Sequence, residues 1–278
     1  MARVDYDRQA EQYHMGRAVP LSDLGAWREA ISRFVAPETP APLLDVGAGT
    51  GIWTRALGTW FEKPVIAVEP SEGMRRVALA QGLAPATWFV AGRGEAVPLG
   101  DETCSMAWLS TVVHHLVDLG QAAKELRRVL VDGGPVLMRN SFAHRHEEIP
   151  LFRYFDAARR VANLFPTVEE IVNAFSSTGF EMVDLVRVHE PPFPSLQAFR
   201  DWAVSMRHTD SALAPLSDDE FALGLGALDG AIAQGELPTL WGSTSWSWRS
   251  RSGVWGPSTR PTRKESAHVF MSRADATR

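Results

Sequence analysis

Three glycines at alternate positions, Gly47, Gly49 and Gly51, follow the apolar run Leu43-Leu44-Asp45-Val46 and precede Ile52-Trp53, where a helical pattern begins. A buried strand that runs through glycines into a helix brings bare backbone to the carboxyl edge of a sheet, where a ligand can approach it closely. Spacing separates two ligands. A dinucleotide fold sets its third glycine three residues after the second, so that a pyrophosphate can sit on the helix N-terminus. Here the spacing is Gly-x-Gly-x-Gly, and Asp45 stands ahead of the first glycine, where it would repel an anion. An anionic loop suits a cationic ligand. A second carboxylate, Glu69, closes the run Val65-Ile66-Ala67-Val68 eighteen residues beyond Gly51. An acidic side chain at about this distance can accept both hydroxyls of a ribose.

Proton chemistry has a separate set of candidates: His114, His115, His144, His146 and Glu147. His114 and His115 follow an apolar run at 106–109, and a histidine pair there can also serve packing and structural hydrogen bonds. His144-Arg145-His146-Glu147-Glu148 follows the run at 136–139, on the edge where open sheets place ligands. Its His-x-His-Glu spacing lacks a cysteine or a distant third ligand, so no metal is expected. Cys104 is the sole cysteine and cannot pair within the chain.

The elements that must position these groups alternate regularly. Apolar runs at 43–46, 65–68, 87–90, 106–109 and 136–139 predict strands, and the periodicity at 53–60, 72–81 and 121–130 predicts the helices between them. Short apolar strands alternating with helices imply a parallel sheet covered on both faces. Ahead of it, residues 4–35 read as two helices broken at Pro20, followed by a proline-rich linker at 36–42. Beyond Asn140 the pattern gives helical stretches at 147–164, 168–177, 196–206 and 218–233, and a strand at 181–188 after the Gly179 stop. Ser217-Asp218-Asp219-Glu220 reads as the N-terminal cap of the last helix. The helical insertions near 144–178 and 195–233 suggest a cap over a ligand site. Phe142, Phe152, Tyr154 and Phe155 stand at its start and could line an apolar pocket. Trp53, Trp60, Met106, Met138 and Met182 read as core.

Asp45-x-Gly47-x-Gly49-x-Gly51 followed by Glu69 resembles the class I S-adenosylmethionine-dependent methyltransferases, especially the small-molecule group that includes the ubiquinone and menaquinone biosynthesis enzymes. The resemblance covers roughly residues 6–233 and has further parts in order. Arg93-Gly94-Glu95-Ala96-Val97-Pro98-Leu99 resembles the segment after strand three that holds the adenine, with Arg93 where an aspartate usually stands. Ser110-Thr111-Val112-Val113-His114-His115-Leu116 resembles the segment that passes under the methionine. Arg127 to Gly134 resembles the turn into strand five, and Tyr6-Asp7 with Tyr13-x-x-x-Arg17 the N-terminal helix that closes over the cofactor.

The resemblance implies a Rossmann-like, doubly wound, mostly parallel α/β sheet of seven strands ordered 3-2-1-4-5-7-6. It implies S-adenosyl-L-methionine as cofactor and S-adenosyl-L-homocysteine as product. Asp45, Gly47, Ala48, Gly49 and Gly51 would surround the methionine and sugar, with Ser110 and His115 beneath. Glu69 would hold the ribose, Pro70 and Met74 would follow it, and Gly94 and Glu95 would lie near the adenine. Tyr13 and Arg17 would close the site. The methyl acceptor would be a small, apolar or aromatic metabolite of isoprenoid, polyketide or indole-like type. Displacement at a sulfonium needs positioning above all, and a base only where the nucleophile must lose a proton. Two other readings stay open: a protein that binds the cofactor without transferring methyl, and a nicotinamide-dependent oxidoreductase, which the glycine spacing disfavours.

Composition narrows the partners. The 278 residues are 45% hydrophobic and 22% charged with a formal charge of −5, which argues against a nucleic-acid partner. There is no secretory signal and no long apolar run, so the expectation is a cytoplasmic chain without a membrane span. Its N-terminal helices, ahead of the proline-rich linker, could exchange between subunits of a homo-oligomer. The last 38 residues differ in kind: seven Lys/Arg against two Asp/Glu, four tryptophans within fifteen residues, and no Leu or Ile, leaving −10 on residues 1–240. The family's seventh strand is expected at Trp241. The residues from Trp241 to Arg249 can be encoded by codons that, read two nucleotides onward, give Gly-Val-Asp-Leu-Val-Val-Leu-Ala. The expectation is therefore a tail out of frame from about Trp241, against a genuine strand with Thr244, Trp246 and Trp248 on one face, and a disordered stretch over 250–278.

Overall fold

The computed structural model describes residues 4–17, 20–146, 149–185, 188–238, 241–243 and 269–273. The chain runs α1 (Tyr6–Arg17), a 3-10 turn (Leu21–Leu24), α2 (Gly25–Ser32), β1 (Leu43–Val46), α3 (Ile52–Phe61), β2 (Val65–Val68), α4 (Glu72–Ala80), β3 (Thr87–Val90) and β4 (Met106–Ser110). A second 3-10 turn (Val113–His115) leads to α5 (Leu119–Val129), β5 (Val136–Arg139), α6 (Pro150–Tyr154), α7 (Asp156–Ala162), α8 (Val168–Ser176) and β6 (Phe180–Leu185). Then come β7 (Val188–Glu190), α9 (Leu196–Ser205), α10 (Asp218–Ala233), β8 (Trp241–Ser243) and β9 (Val269–Arg273).

The main sheet is ordered β3-β2-β1-β4-β5-β9-β6, with β9 antiparallel to both neighbours. Leu43 to Val46 pair in step with Val65 to Val68 on one side and Met106 to Leu109 on the other. These strands therefore end level, and the loops after them open on one edge. Alternate residues supply the two faces. Leu44, Val46, Val68, Ala107 and Leu109 pack with Leu126 of α5 and Ile171 and Phe175 of α8. Leu43, Val65, Met106 and Trp108 pack with Trp27 and Ile31 of α2 and with Ala56 and Leu57 of α3. Both faces are covered, which is why the strands read as unbroken apolar runs.

A third core belongs to the cap. Phe152, Phe155, Phe165, Phe199, Met206, Phe221 and Leu228 join α6, α7, α9 and α10. Gly224 lets α10 lie on α6 and α7, because a Cβ there would come within 2.1 Å of the Phe155 ring. Ser217 and Glu220 form the expected reciprocal cap on α10. Helix α1 joins the two halves of the molecule. Its Asp7 carboxylate accepts from Gly73 N–H at 2.9 Å and Ser71 O–H at 2.8 Å at the start of α4. Those bonds hold the Asp7 carboxyl below its usual range. At the other end of α1, the Arg17 guanidinium reaches Asp210 at 2.6 Å.

Three expectations change. The strand expected over 181–188 ends at Leu185, and Val188 opens β7, which pairs with β8 in a separate ribbon. Glu190 of β7 meets Arg139 and Trp27, its carboxylate accepting from both at 2.7 and 2.9 Å. The seventh strand position is held by Val269–Arg273 and not by the residues at Trp241, so the stretch 250–278 is not irregular throughout. Thr244, Trp246 and Trp248 lie outside the described residues. Among the described residues no helix is long and apolar enough to cross a membrane.

Candidate active site

The level ends of β1, β2, β3 and β4 wall a cleft of about 930 Å³. Gly47 and Gly49 line it, with φ of 66° and 54°, and a Cβ on Gly47 would come within 2.4 Å of Val112. Next along the edge, Glu69 folds back over the glycine loop. One of its oxygens accepts from Gly49 N–H and the other from Ser71 N–H, both at 2.8 Å. A carboxylate has about four acceptor positions, so both oxygens keep capacity for a ligand diol. Burial raises the Glu69 pKa, and the two backbone bonds oppose it. Pro70 and Met74 continue the wall, followed by Arg93, Gly94 and Glu95 after β3. Glu95 also accepts from Val117 N–H at 2.7 Å, which ties the segments after β3 and β4 together. Ser110 and His115 form the floor, and Tyr6, Tyr13 and Arg17 of α1 the roof. Two buried polar atoms on this wall, Ser110 Oγ and Arg17 Nε, have no hydrogen-bond partner among the described residues.

Three residues expected on the wall stand behind it. Asp45 is 1% exposed and accepts from Thr54 Oγ at 2.6 Å, anchoring the first turn of α3. Burial, with Glu69 nearby, pushes its pKa up to about 7, against the Thr54 bond. It braces the loop from below and is not an exposed anion. Gly51, with φ of 78°, faces the Phe89 ring, which a Cβ would meet at 3.0 Å. Ala48 is buried, its N–H given to the Val68 carbonyl at 3.2 Å.

A second cavity of about 640 Å³ adjoins the first through Arg17, Thr111 and Ser211, which line both. Ile149, Leu151, Phe152, Phe165 and Trp202 give it apolar walls, and His114, Arg139, Asn140, Ser141 and Asp210 a polar floor. His114 stacks on Phe165 with ring centres 4.3 Å apart. Of the aromatics expected here, Phe152 lines the cavity, while Phe142 and Phe155 are buried in the two cores. Thr111 has a φ of 60°, unusual for a β-branched residue. Its hydroxyl accepts from Arg139 at 3.1 Å, and Arg139 is held in turn by Glu190.

The two histidine pairs separate. His114 and His115 sit at the junction of the cavities, their rings 4.1 Å apart. His144 is exposed, its N–H donated to Asn163 Oδ1, and His146 is buried against Phe152 with Nε2 2.9 Å from the same oxygen. Neither lines either cavity: both are held by Asn163, and the chain meets the second cavity further on, at Ile149, Leu151 and Phe152. Glu147 lies outside the described residues. The sequence reading missed Asn140, Arg139, Phe165, Trp202, Asp210 and Ser211. Asn140 was findable, as the first residue beyond β5 on the ligand edge. Asp210 and Ser211 stand in a turn with no pattern to mark them.

A doubly wound sheet with a glycine loop after β1, an acid after β2 and a helical cap over the edge defines a cofactor-dependent transferase architecture. Comparison with known proteins gives it a family. A family described as a methyltransferase domain matches residues 44–138. A demethylmenaquinone methyltransferase of Roseiflexus castenholzii is 30% identical over 63% of this chain and 72% of its own length. The ubiquinone/menaquinone biosynthesis C-methyltransferase of Rubrivivax gelatinosus is 32% identical over 40% of this chain, a match that spans 43% of the relative's length. A crystal structure of a putative methyltransferase from an antibiotic biosynthesis pathway of Anabaena variabilis superposes with a TM-score of 0.64. It is 18% identical and is covered to 96%, against 89% of this chain, so it speaks for the fold alone. The chain belongs to the class I S-adenosylmethionine-dependent methyltransferases.

Proposed function

We propose that the chain transfers a methyl group from S-adenosylmethionine to a small acceptor held in the aromatic chamber beneath the cap. The observation that carries this reading is the junction at Arg17, Thr111 and Ser211, where a cleft edged by glycines and Glu69 opens into an apolar chamber. The cleft fits the cofactor on its own chemistry. Ser110 Oγ and Arg17 Nε are buried polar atoms without a partner among the described residues, and a group left unsatisfied in this way costs about 1–3 kcal/mol. When bound, the cofactor supplies an activated methyl whose departure from sulfur needs no acid.

The chain's residues then bind and orient. Glu69 takes the ribose hydroxyls on its remaining acceptor positions, flanked by Pro70 and Met74. Gly94 and Glu95 face the adenine, and Gly47 and Gly49 admit the methionine backbone. Tyr13 and Arg17 close the roof and keep water out. The walls of Phe152, Phe165 and Trp202 suit a flat, apolar acceptor of isoprenoid, polyketide or indole-like type. The relative named for demethylmenaquinone supports an acceptor of that general character. Holding both reactants in near-attack geometry removes about 7–11 kcal/mol of barrier. Calorimetry with S-adenosylhomocysteine and with NAD tests the reading. Binding of the first and not the second is expected, and the reverse would overturn it.

A further inference from the structure

The chamber floor carries a hydrogen-bonded chain whose directions can be worked out from one end. Asn140 donates its amide N–H to the Ser141 carbonyl at 2.6 Å, which leaves Oδ1 to accept. His114 Nδ1 lies 3.1 Å from that oxygen and must carry the proton. His114 Nε2 is then the bare nitrogen, 3.0 Å from Ser211 Oγ, and accepts the serine proton. Burial, and next the neighbouring His115, hold the His114 pKa well below its usual value against the Asn140 bond, so the ring is neutral at pH 7. Around Ser211 the other groups are Tyr6 at 3.3 Å and His115 Nε2 at 3.3 Å, with Arg17 and Asp210 beyond. Tyr6 O–H can turn to His115 Nε2 at 3.2 Å, which frees a lone pair on Ser211.

We propose that Ser211 receives the proton of a hydroxyl-bearing acceptor while passing its own to His114, whose tautomer Asn140 fixes, and that the chamber is therefore built for methylation at oxygen. The proposal rests on the methyl-transfer reading above. In the step, the acceptor oxygen bonds the methyl carbon as the sulfur–methyl bond breaks and its electron pair stays on sulfur. The acceptor's O–H proton moves to Ser211 Oγ, and the serine proton moves to His114 Nε2. A methyl ether, a thioether and an imidazolium result, and the imidazolium proton returns to solvent when products leave.

A weak base suffices for this. As the bond to carbon forms, the acceptor oxygen takes on oxonium character and becomes far more acidic than imidazolium. An amine acceptor attacks with its own lone pair and keeps its protons until afterwards, so it has no use for the relay. Ser211 meets the acceptor. His114 and Asn140 act through it as positioning residues.

The test uses the full chain loaded with S-adenosylhomocysteine. In nitrogen-15 NMR of the labelled imidazoles at pH 7, His114 is expected neutral, with the proton on Nδ1. Asn140→Leu should move the proton to Nε2, Ser211→Ala should shift the Nε2 resonance, and Ser211→Thr should restore it. A wild-type His114 that is cationic or protonated on Nε2 overturns the relay. With 1-naphthol and 1-naphthylamine as probe acceptors, Ser211→Ala should lower kcat for the naphthol about 100-fold. The ratio of kcat for the naphthol to kcat for the amine should fall by about tenfold or more in the variant. Equal loss with both acceptors, or turnover of the amine alone by the wild type, overturns the proposal. If neither is turned over, the tautomer decides. Absence of S-adenosylhomocysteine binding would instead strike the methyl-transfer reading.

Discussion

The cleft proposed for the cofactor is walled by the ends of four neighbouring strands. The chamber behind it is walled by side chains arriving from α6, the 163–167 turn, α9 and the turn at 210–212. The first uses backbone and a few carboxylates. The second uses rings and a hydrogen-bonded floor. The contrast teaches where each kind of specificity resides: strand ends set one ligand's geometry rigidly, while cap side chains can change the other ligand without moving a strand. It also separates the electrostatics. Asp45 and Glu69, behind and on the cleft wall, are buried carboxylates with raised pKa values, whereas Asp210 and Glu190 near the chamber are paired with arginines.

The largest expected effect follows from that electrostatic difference. Asp45 holds its proton in the folded state up to about pH 7, against an ordinary value of 3.8. Between roughly pH 4 and 7 the unfolded chain has lost a proton that the folded chain keeps, so stability falls as pH rises through this window and levels above it. The displacement corresponds to a cost on the order of 4 kcal/mol once the window has been crossed. Asp45→Asn removes it and keeps an acceptor for Thr54. The gap in melting temperature between variant and wild type should widen from pH 4 to 7 in the variant's favour. A gap that stays constant would place the cost elsewhere.

Gly47 comes next. Alanine there must hold a φ of 66° and set a Cβ 2.4 Å from Val112. Backbone strain and overpacking each cost about 1–3 kcal/mol. Gly47→Ala should lower stability by about 3 kcal/mol in urea titration. Gly82→Ala, with a φ of 77° and nothing near its Cβ, should cost about 1 kcal/mol. Equal losses would mean that the close approach to Val112 is dispensable. Glu69→Ala follows. It removes both the ribose acceptor and the brace on Gly49 and Ser71, and should weaken S-adenosylhomocysteine about 30-fold, roughly 2 kcal/mol. Calorimetry reads it directly, and an unchanged affinity would remove Glu69 from the ligand's contacts.

The same contrast explains what the sequence disclosed. The cleft was legible because each part is a local pattern: an apolar run that must be a covered strand, then a residue type that only a strand end requires. Glycine at 47 and an acid at 69 carry their reasons with them. The misassignment of Asp45 is instructive, since charge and position alone did not show that Thr54, nine residues on, would bury it. The chamber was legible only in part: His114 and the apolar pocket at Phe152 were expected, but Asn140 and Ser211 reach His114 across separations of 26 and 97 residues, which leave no periodic trace. His144 and His146 show the converse: a conspicuous spacing whose two residues are both held by Asn163, off either cavity wall. The tail belongs to neither case. Its residues at 269–273, beginning Val-Phe-Met, complete the sheet, and the codons from Trp241 onward in the gene would decide the reading frame.

Phe165→Leu gives the smallest effect and the cleanest probe of the boundary between the two cavities. The ring stacks on His114 with planes 18° apart and lines only the chamber. Leucine keeps an apolar side chain of similar bulk and loses the aromatic pairing, worth about 0.5–1.5 kcal/mol beyond area. An apolar wall contacts the acceptor equally before and during reaction, so the loss should appear as a KM raised about fivefold with kcat little changed. Affinity for S-adenosylhomocysteine should hold within twofold, because Phe165 does not line the cleft. A kcat that falls while KM holds would mean that the ring acts by orienting His114. A parallel loss of S-adenosylhomocysteine affinity would mean that cap packing reaches the strand ends through Thr111, and that the two cavities share one energetic unit.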